Sequence, residues 1–220
     1  MTDPSLTLLV LLVDNSSSML DYQTEMETTL NRFLDDQRVD TEELGCVHVT
    51  YSLFNHTYRR VFADKPIGEV RRITLEPNGS TAMLDGIGKV TNEVGASLAA
   101  LPEDERPDNV ILAILTDGHE NASRRYTKSD IKAIIEEQQN VYNWTILFLA
   151  ANMDAVAEAD AYGIDRGQSL SWDTGGEAIA NAGAALSNYV TRSRKMSVKG
   201  ISSHSVAFTE QERDAAVKEG

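Results

Sequence analysis

The sequence predicts a doubly wound, Rossmann-like α/β domain: a mostly parallel central sheet with one antiparallel edge strand and helices on both faces. Three observations predict it. Leu6 to Val13 is an apolar run with no polar face, as a strand buried on both sides requires. Two further apolar runs, Val110 to Thr116 and Trp144 to Ala151, recur later in the chain. Between them lie segments with apolar residues at helical spacing, and alternating strands and helices cover both faces of a parallel sheet.

Each element has its own signal. After the first strand, Met26, Leu30, Phe33 and Leu34 recur at helical spacing, which predicts a helix over Met19 to Asp36. A polar link, Arg38 to Glu43, leads to Cys46–Phe54, rich in β-branched and aromatic residues and therefore a strand. Asn55-His56 is a tight turn, from which Thr57 to Phe62 returns as the antiparallel edge strand. Arg59 and Arg60 there are solvated charges that discourage edge-to-edge pairing. Ile67 to Leu75 reads as a loop with a strand-like end, and Pro77 to Thr81 is rich in turn residues. A helix over Ala82 to Ala100 points Leu84, Ile87, Val90, Val94 and Leu98 inward. Leu101 to Asp108 is a polar loop. Ser129 is the expected N-cap of a helix ending near Gln139. Asp154 to Tyr162 reads as a short helix stopped by Gly163, Gln168 to Trp172 as a last short strand, and Gly176 to Arg192 as an Ala-rich covering helix.

The domain is expected to span residues 5–192. Beyond it, 193–220 reads as a basic C-terminal tail, with Arg194 and Lys199 and no acid before Thr209. Thr209-Glu210-Gln211-Glu212 has the form of a capping box opening a short terminal helix. A mobile tail is the plainer expectation, and a basic docking segment the sharper one.

Composition bounds the function. A net charge of −14 over 220 residues argues against a nucleic-acid binder, which needs a basic surface to displace phosphate counterions. The lone cysteine, Cys46, excludes an internal disulfide, and its apolar surroundings predict a buried thiol. The first apolar run is too short to span a bilayer, and Met1-Thr2-Asp3-Pro4 offers no signal-peptide start. The expectation is a soluble cytoplasmic protein that binds no membrane.

Candidate chemistry gathers at the strand ends, where open α/β sheets bind ligands. The first apolar strand runs into Asp14-Asn15-Ser16-Ser17-Ser18, the loop before the central helix ends in Thr81, and the second apolar strand ends in Thr116-Asp117-Gly118. Oxygen-only side chains suit a hard divalent cation: Mg²⁺ first, with Mn²⁺ and Ca²⁺ also accepting such donors. Asp-x-Ser-x-Ser alone is a weak pattern; joined to Thr81 and Asp117, behind two apolar strands, it is specific.

Asp14-x-Ser16-x-Ser18, Gly79-Ser80-Thr81 and Thr116-Asp117-Gly118 together resemble the metal-ion-dependent adhesion site (MIDAS) of von Willebrand factor type A (vWA) domains, stand-alone microbial type, over about residues 5–192. The resemblance implies that Ser16, Ser18 and Thr81 hold Mg²⁺ directly and that Asp14 and Asp117 act largely through bound water. It implies a non-enzymatic protein-binding module whose metal shell is completed by a Glu or Asp of a partner protein. A shift of Asp117 toward the metal would weaken that attraction. The family resemblance also suggests an adaptor for an AAA+ ATPase or a stress-response system. His119, Glu120 and Asn121 are expected to ring the metal face.

Two alternatives stay open. One is a Mg²⁺-dependent hydrolase or phosphotransferase, since acids at strand ends also serve phosphoryl chemistry. No phosphate-cradling Gly-rich loop supports it, although Arg124 and Arg125 follow Asp117 closely. The other is a structural component of a phage or secretion assembly anchored by the tail. Sequence leaves the oligomeric state open.

Overall fold

The computed structural model describes residues 2–38, 41–201 and 205–217. Its sheet contains β1 (Asp3–Asp14), β2 (Cys46–Phe54), β3 (Tyr58–Pro66), β4 (Pro107–Thr116), β5 (Thr145–Ala151) and β6 (Ser169–Trp172), in the order β3-β2-β1-β4-β5-β6. All neighbours are parallel except β2 and β3, which form the antiparallel hairpin at the edge. The doubly wound architecture is therefore the observed one. Among the described residues, no helix is long and apolar enough to cross a membrane.

Alternation along β1 builds two cores. Leu9, Leu11 and Val13 point to the side covered by α1 (Gln23–Arg38) and α6 (Gly176–Ser197). Leu8, Val10 and Leu12 point to the side covered by α3 (Met83–Ala99), α4 (Lys128–Tyr142) and α5 (Ala155–Ala161). A strand apolar on both faces suits only this central position, and burying each Leu or Val contributes roughly 1.5–3 kcal/mol.

Several elements differ from expectation. The segment after the Ser cluster begins as a 3-10 helix, Ser17–Tyr22, before α1 starts. A short helix, α2 (Thr41–Leu44), lies in the expected polar link. β3 runs on to Pro66, with a positive φ of 47° at Asp64. Thr127, not Ser129, caps α4: its hydroxyl accepts from the Asp130 amide while the Asp130 carboxylate accepts from the Thr127 amide. The Ser129 hydroxyl bonds to Thr127 instead, at 2.9 Å. Cys46 is exposed rather than buried, because it is the first residue of β2, at the strand's uncovered start.

The largest difference is beyond residue 192. α6 continues to Ser197 and buries Arg194 completely. That guanidinium donates to the Gln37 carbonyl and side-chain oxygen, each at 3.2 Å, and to the Gly45 carbonyl at 3.0 Å. Val206, Phe208 and Ala216 join the α1/α6 core. The Phe208 amide donates to the Gly167 carbonyl at 2.9 Å, and the Asp173 amide to the Ala216 carbonyl at 3.0 Å. Thr209 and Glu212 do form the capping box of α7 (Glu210–Ala216), whose Arg213 donates to the Ser169 carbonyl at 2.7 Å. This segment thus lies on the β6 edge, not free in solvent. His204, residues 202–203 and residues 218–220 lie outside the described residues.

Candidate metal centre

β1 and β4 are neighbours in register, with Val13 beside Leu115, so Asp14 and Thr116 leave the sheet together. The Thr116 hydroxyl donates to Asp14 Oδ2 at 2.7 Å, and the Ser16 amide donates to Asp14 Oδ1 at 2.8 Å. Asp14 is wholly buried, and that burial pushes its carboxyl up to about 6. The charge of Asp117 pushes the same way, while the bonds from Thr116 and Ser16 oppose it.

Above Asp14 the hydroxyls and the second acid meet. Ser16 Oγ and Ser18 Oγ are 3.0 Å apart, and Ser18 Oγ donates to Asp117 Oδ1 at 2.9 Å. The Tyr22 phenol donates to Asp117 Oδ2. Burial and the adjacent carboxylate hold that phenol well above its usual range, so it serves as a donor. Asn152 donates from Nδ2 to the Asp117 carbonyl at 3.2 Å. Thr81 is placed through its backbone. Its amide donates to Asn121 Oδ1 at 2.9 Å, and its carbonyl accepts from the Asn121 and Ala122 amides at 3.0 and 3.2 Å. Gly118 closes the arrangement: a Cβ there would lie 3.6 Å from Ser18 Oγ and 3.8 Å from Thr81 Oγ1. The glycine leaves open a space that both hydroxyls border.

Ser16, Ser18 and Asp117 are thus joined directly, Asp14 reaches them through the Ser16 amide, and Thr81 faces them across Gly118. The donors fit a hard cation. Mg²⁺ with oxygens at about 2.1 Å in an octahedron holds adjacent ligands about 3.0 Å apart. The 3.0 Å between Ser16 Oγ and Ser18 Oγ matches that edge, and Ser18 Oγ is held by its bond to Asp117. Among the described residues no group of three or more His, Cys, Asp or Glu side chains is placed to hold a metal, so a cation at this site depends on hydroxyls.

Other residues hold the loops. Asn15 accepts from the Glu76 amide at 3.0 Å and donates to the Glu76 carbonyl at 2.9 Å, tying the 76–81 loop to the end of β1. Of the residues expected to ring the metal face, Asn121 is exposed and bonded to Thr81, whereas Glu120 turns inward. Glu120 accepts from the amides of Leu84, Ala122 and Ser123, which joins the start of α3 to the loop after β4. His119 is exposed. Sequence patterning left Tyr22 as a core or rim residue and gave no role to Thr116 or Asn15 beyond their segments. The signal was their place: Thr116 directly precedes Asp117, and Tyr22 lies one helical turn beyond Ser18.

No family model matches the chain, and no curated protein matches it. Solved structures do. Proximal thread matrix protein 1 from the mussel byssus aligns with a TM-score of 0.60 at 13% identity, over 87% of this chain and 48% of that one. The same protein with a zinc-occupied MIDAS motif aligns with a TM-score of 0.60 at 15% identity, over 86% and 47%. The ArnB paralog VWA2 from Sulfolobus acidocaldarius aligns with a TM-score of 0.52 at 15% identity, over 84% and 44%. The chain spans about half the length of these neighbours. Sheet order, strand directions and these alignments together establish that the chain has the fold of a von Willebrand factor type A domain.

Proposed function

We propose that this chain is a metal-dependent protein-binding module whose cation is held by Ser16, Ser18 and Thr81, with Asp14 and Asp117 acting from behind. The observation that carries this reading is the convergence of the Ser16, Ser18 and Asp117 oxygens beside the space left by Gly118. A zinc-occupied site of the same type in a protein of the same fold supports it. When bound, the cation supplies a Lewis-acidic position that attracts a carboxylate from outside. This chain's residues then set how strong that attraction is. Neutral hydroxyls leave much of the cation's charge unbalanced, and the two acids are already engaged by Thr116, the Ser16 amide, Ser18 and Tyr22. A Glu or Asp of a partner protein is the expected ligand. By analogy with the family alone, the setting is an adaptor role for an AAA+ ATPase or a stress-response system.

The test is capture from native lysate on the immobilised chain, in Mg²⁺ and in EDTA, with Ser16→Ala in parallel. Partners retained only with Mg²⁺ and lost on Ser16→Ala support the module. Equal capture in every condition contradicts it. Mg²⁺-dependent turnover of generic phosphatase substrates, abolished in Asp14→Ala, would replace it with the hydrolase reading.

A further inference from the structure

One short segment takes both carboxylate oxygens of Asp117. The 3-10 helix Ser17–Tyr22 carries Ser18 near its start and Tyr22 at its end. The Ser18 hydroxyl donates to Asp117 Oδ1 at 2.9 Å, and the Tyr22 phenol donates to Oδ2. The two donors stand differently toward a cation. Ser18 Oγ keeps its lone pairs after donating, so it can ligate a cation and hold Asp117 at once. Tyr22 lies outside the ligand set, so what its phenol does for the cation it does through Asp117.

Phenol and carboxylate are each anchored from behind. Tyr22 is buried and meets Trp172 edge-on, with ring centroids 6.1 Å apart and planes at 88°. Trp172 is itself buried at the end of β6, and the amide of the next residue, Asp173, is bonded to the Ala216 carbonyl at 3.0 Å. The main chain of Asp117 is fixed separately by Asn152, whose Nδ2 donates to the Asp117 carbonyl at 3.2 Å. Asn152 sits at φ 56°, a left-handed conformation that Asn adopts more readily than most residues.

The hydroxyl of Tyr22 is the informative part. A Phe would bury the same ring against Trp172 and bring no polar atom in need of a partner. A donor directed at a carboxylate draws on its negative charge, and such charge-assisted bonds are roughly twice as strong as neutral ones. For a cation beside Asp117, the charge drawn off is attraction lost. The phenol therefore weakens the hold on the ion and leaves the ion more of its own charge for a ligand from outside.

We propose that Tyr22 is a positioning residue that restrains Asp117, keeping Oδ2 from the cation and the cation electron-poor toward a partner's carboxylate. This rests on the metal-dependent reading, and it names the residue that sets the balance between holding the ion and attracting the acid.

The test is calorimetric titration of Mg²⁺ into three full-length chains: the wild type, Tyr22→Phe, and a chain with 3-fluorotyrosine at position 22, whose more acidic phenol is the stronger donor. Tyr22→Phe should bind Mg²⁺ about tenfold more tightly than the wild type, the size of effect expected on removing a hydrogen bond to a charged acceptor in the metal-free state. The fluorinated chain should bind it more weakly than the wild type. It keeps the wild-type contacts, so that comparison stands even if Tyr22→Phe does not fold. Urea unfolding gives a second readout: the stability that Tyr22→Phe loses in EDTA should be largely recovered in saturating Mg²⁺, as tighter binding requires. A phenol that serves only the fold leaves the three affinities equal. One that prepares Asp117 for the ion makes Tyr22→Phe the weaker binder and the fluorinated chain the tighter one. Either result would overturn the proposal. Absence of Mg²⁺ binding in all three chains would overturn the metal-dependent reading, and this role with it.

Discussion

Replacing Asp14 by Asn separates what this carboxylate does for the fold from what it does for a cation. Asp14 is fully buried, and its carboxyl is shifted from 3.8 to about 6. The unit of conversion is 1.36 kcal/mol per pKa unit, so holding the ionised group in the native state costs about 3 kcal/mol at pH 7.5 without metal. The sign follows from proton uptake. Between pH 4 and 6 the native state binds the proton and the unfolded state does not, so stability rises as pH falls through that window. Asn keeps both hydrogen bonds: its carbonyl accepts from the Ser16 amide, and its amide donates to the Thr116 hydroxyl, which can turn to the Gly118 carbonyl 3.2 Å away. Urea unfolding in EDTA should therefore find Asp14→Asn more stable than the wild type at pH 7.5, by up to about 3 kcal/mol, with the gap closing by pH 4. Added Mg²⁺ should raise the midpoint of the wild type only. A variant less stable than the wild type at pH 7.5, or a gap that does not change with pH, would refute the reasoning. A residue that weakens its own fold is what a binding site, rather than a turn, requires.

Three further outcomes follow from the structure. Tyr22→Phe removes the phenol bonded to Asp117 and should cost about 1–3 kcal/mol in urea unfolding while leaving the ring contact with Trp172 intact. Phe208→Ala should cost about 3–5 kcal/mol in the same assay, because Phe208 is buried against Tyr189; an unchanged midpoint would mean the 205–217 segment does not pack on the β6 edge. Gly45→Ala should abolish or severely reduce soluble expression, since Gly45 has φ of 75° and a Cβ there would lie 2.1 Å from the Ser5 carbonyl oxygen.

The sheet was legible because its evidence is local. Leu6–Val13, Val110–Thr116 and Trp144–Ala151 are apolar on both faces, and the acids after the first two, Asp14 and Asp117, mark where those strands stop. The site was legible as a set of residue types, since hydroxyls and acids at strand ends say oxygen ligands. What holds the set was not legible. Tyr22 reaches Asp117 across 95 positions, and Glu120 reaches the Leu84 amide across 36, contacts that no periodicity encodes. The C-terminal segment misled for the same reason. A run of cations without acids reads as solvated tail, yet Arg194 finds its acceptors at Gln37 and Gly45, on the far side of the chain. The oxygens that accept from its Nη1 and Nη2 at Gln37 and Gly45 are neutral, and charge patterning does not point to them. Cys46 failed in the opposite direction, because an apolar neighbourhood in sequence does not report the uncovered first residue of a strand.

The account's central claim is that Ser16, Ser18, Thr81, Asp14 and Asp117 hold one divalent cation, and calorimetric titration of Mg²⁺ into the metal-free chain tests it most directly. The prediction is one ion per chain for the wild type, with binding lost in Ser16→Ala and in Asp117→Ala but retained in Cys46→Ser. Wild-type affinity shared by Ser16→Ala and Asp117→Ala would contradict it, and so would a wild type that binds no Mg²⁺, Mn²⁺ or Ca²⁺.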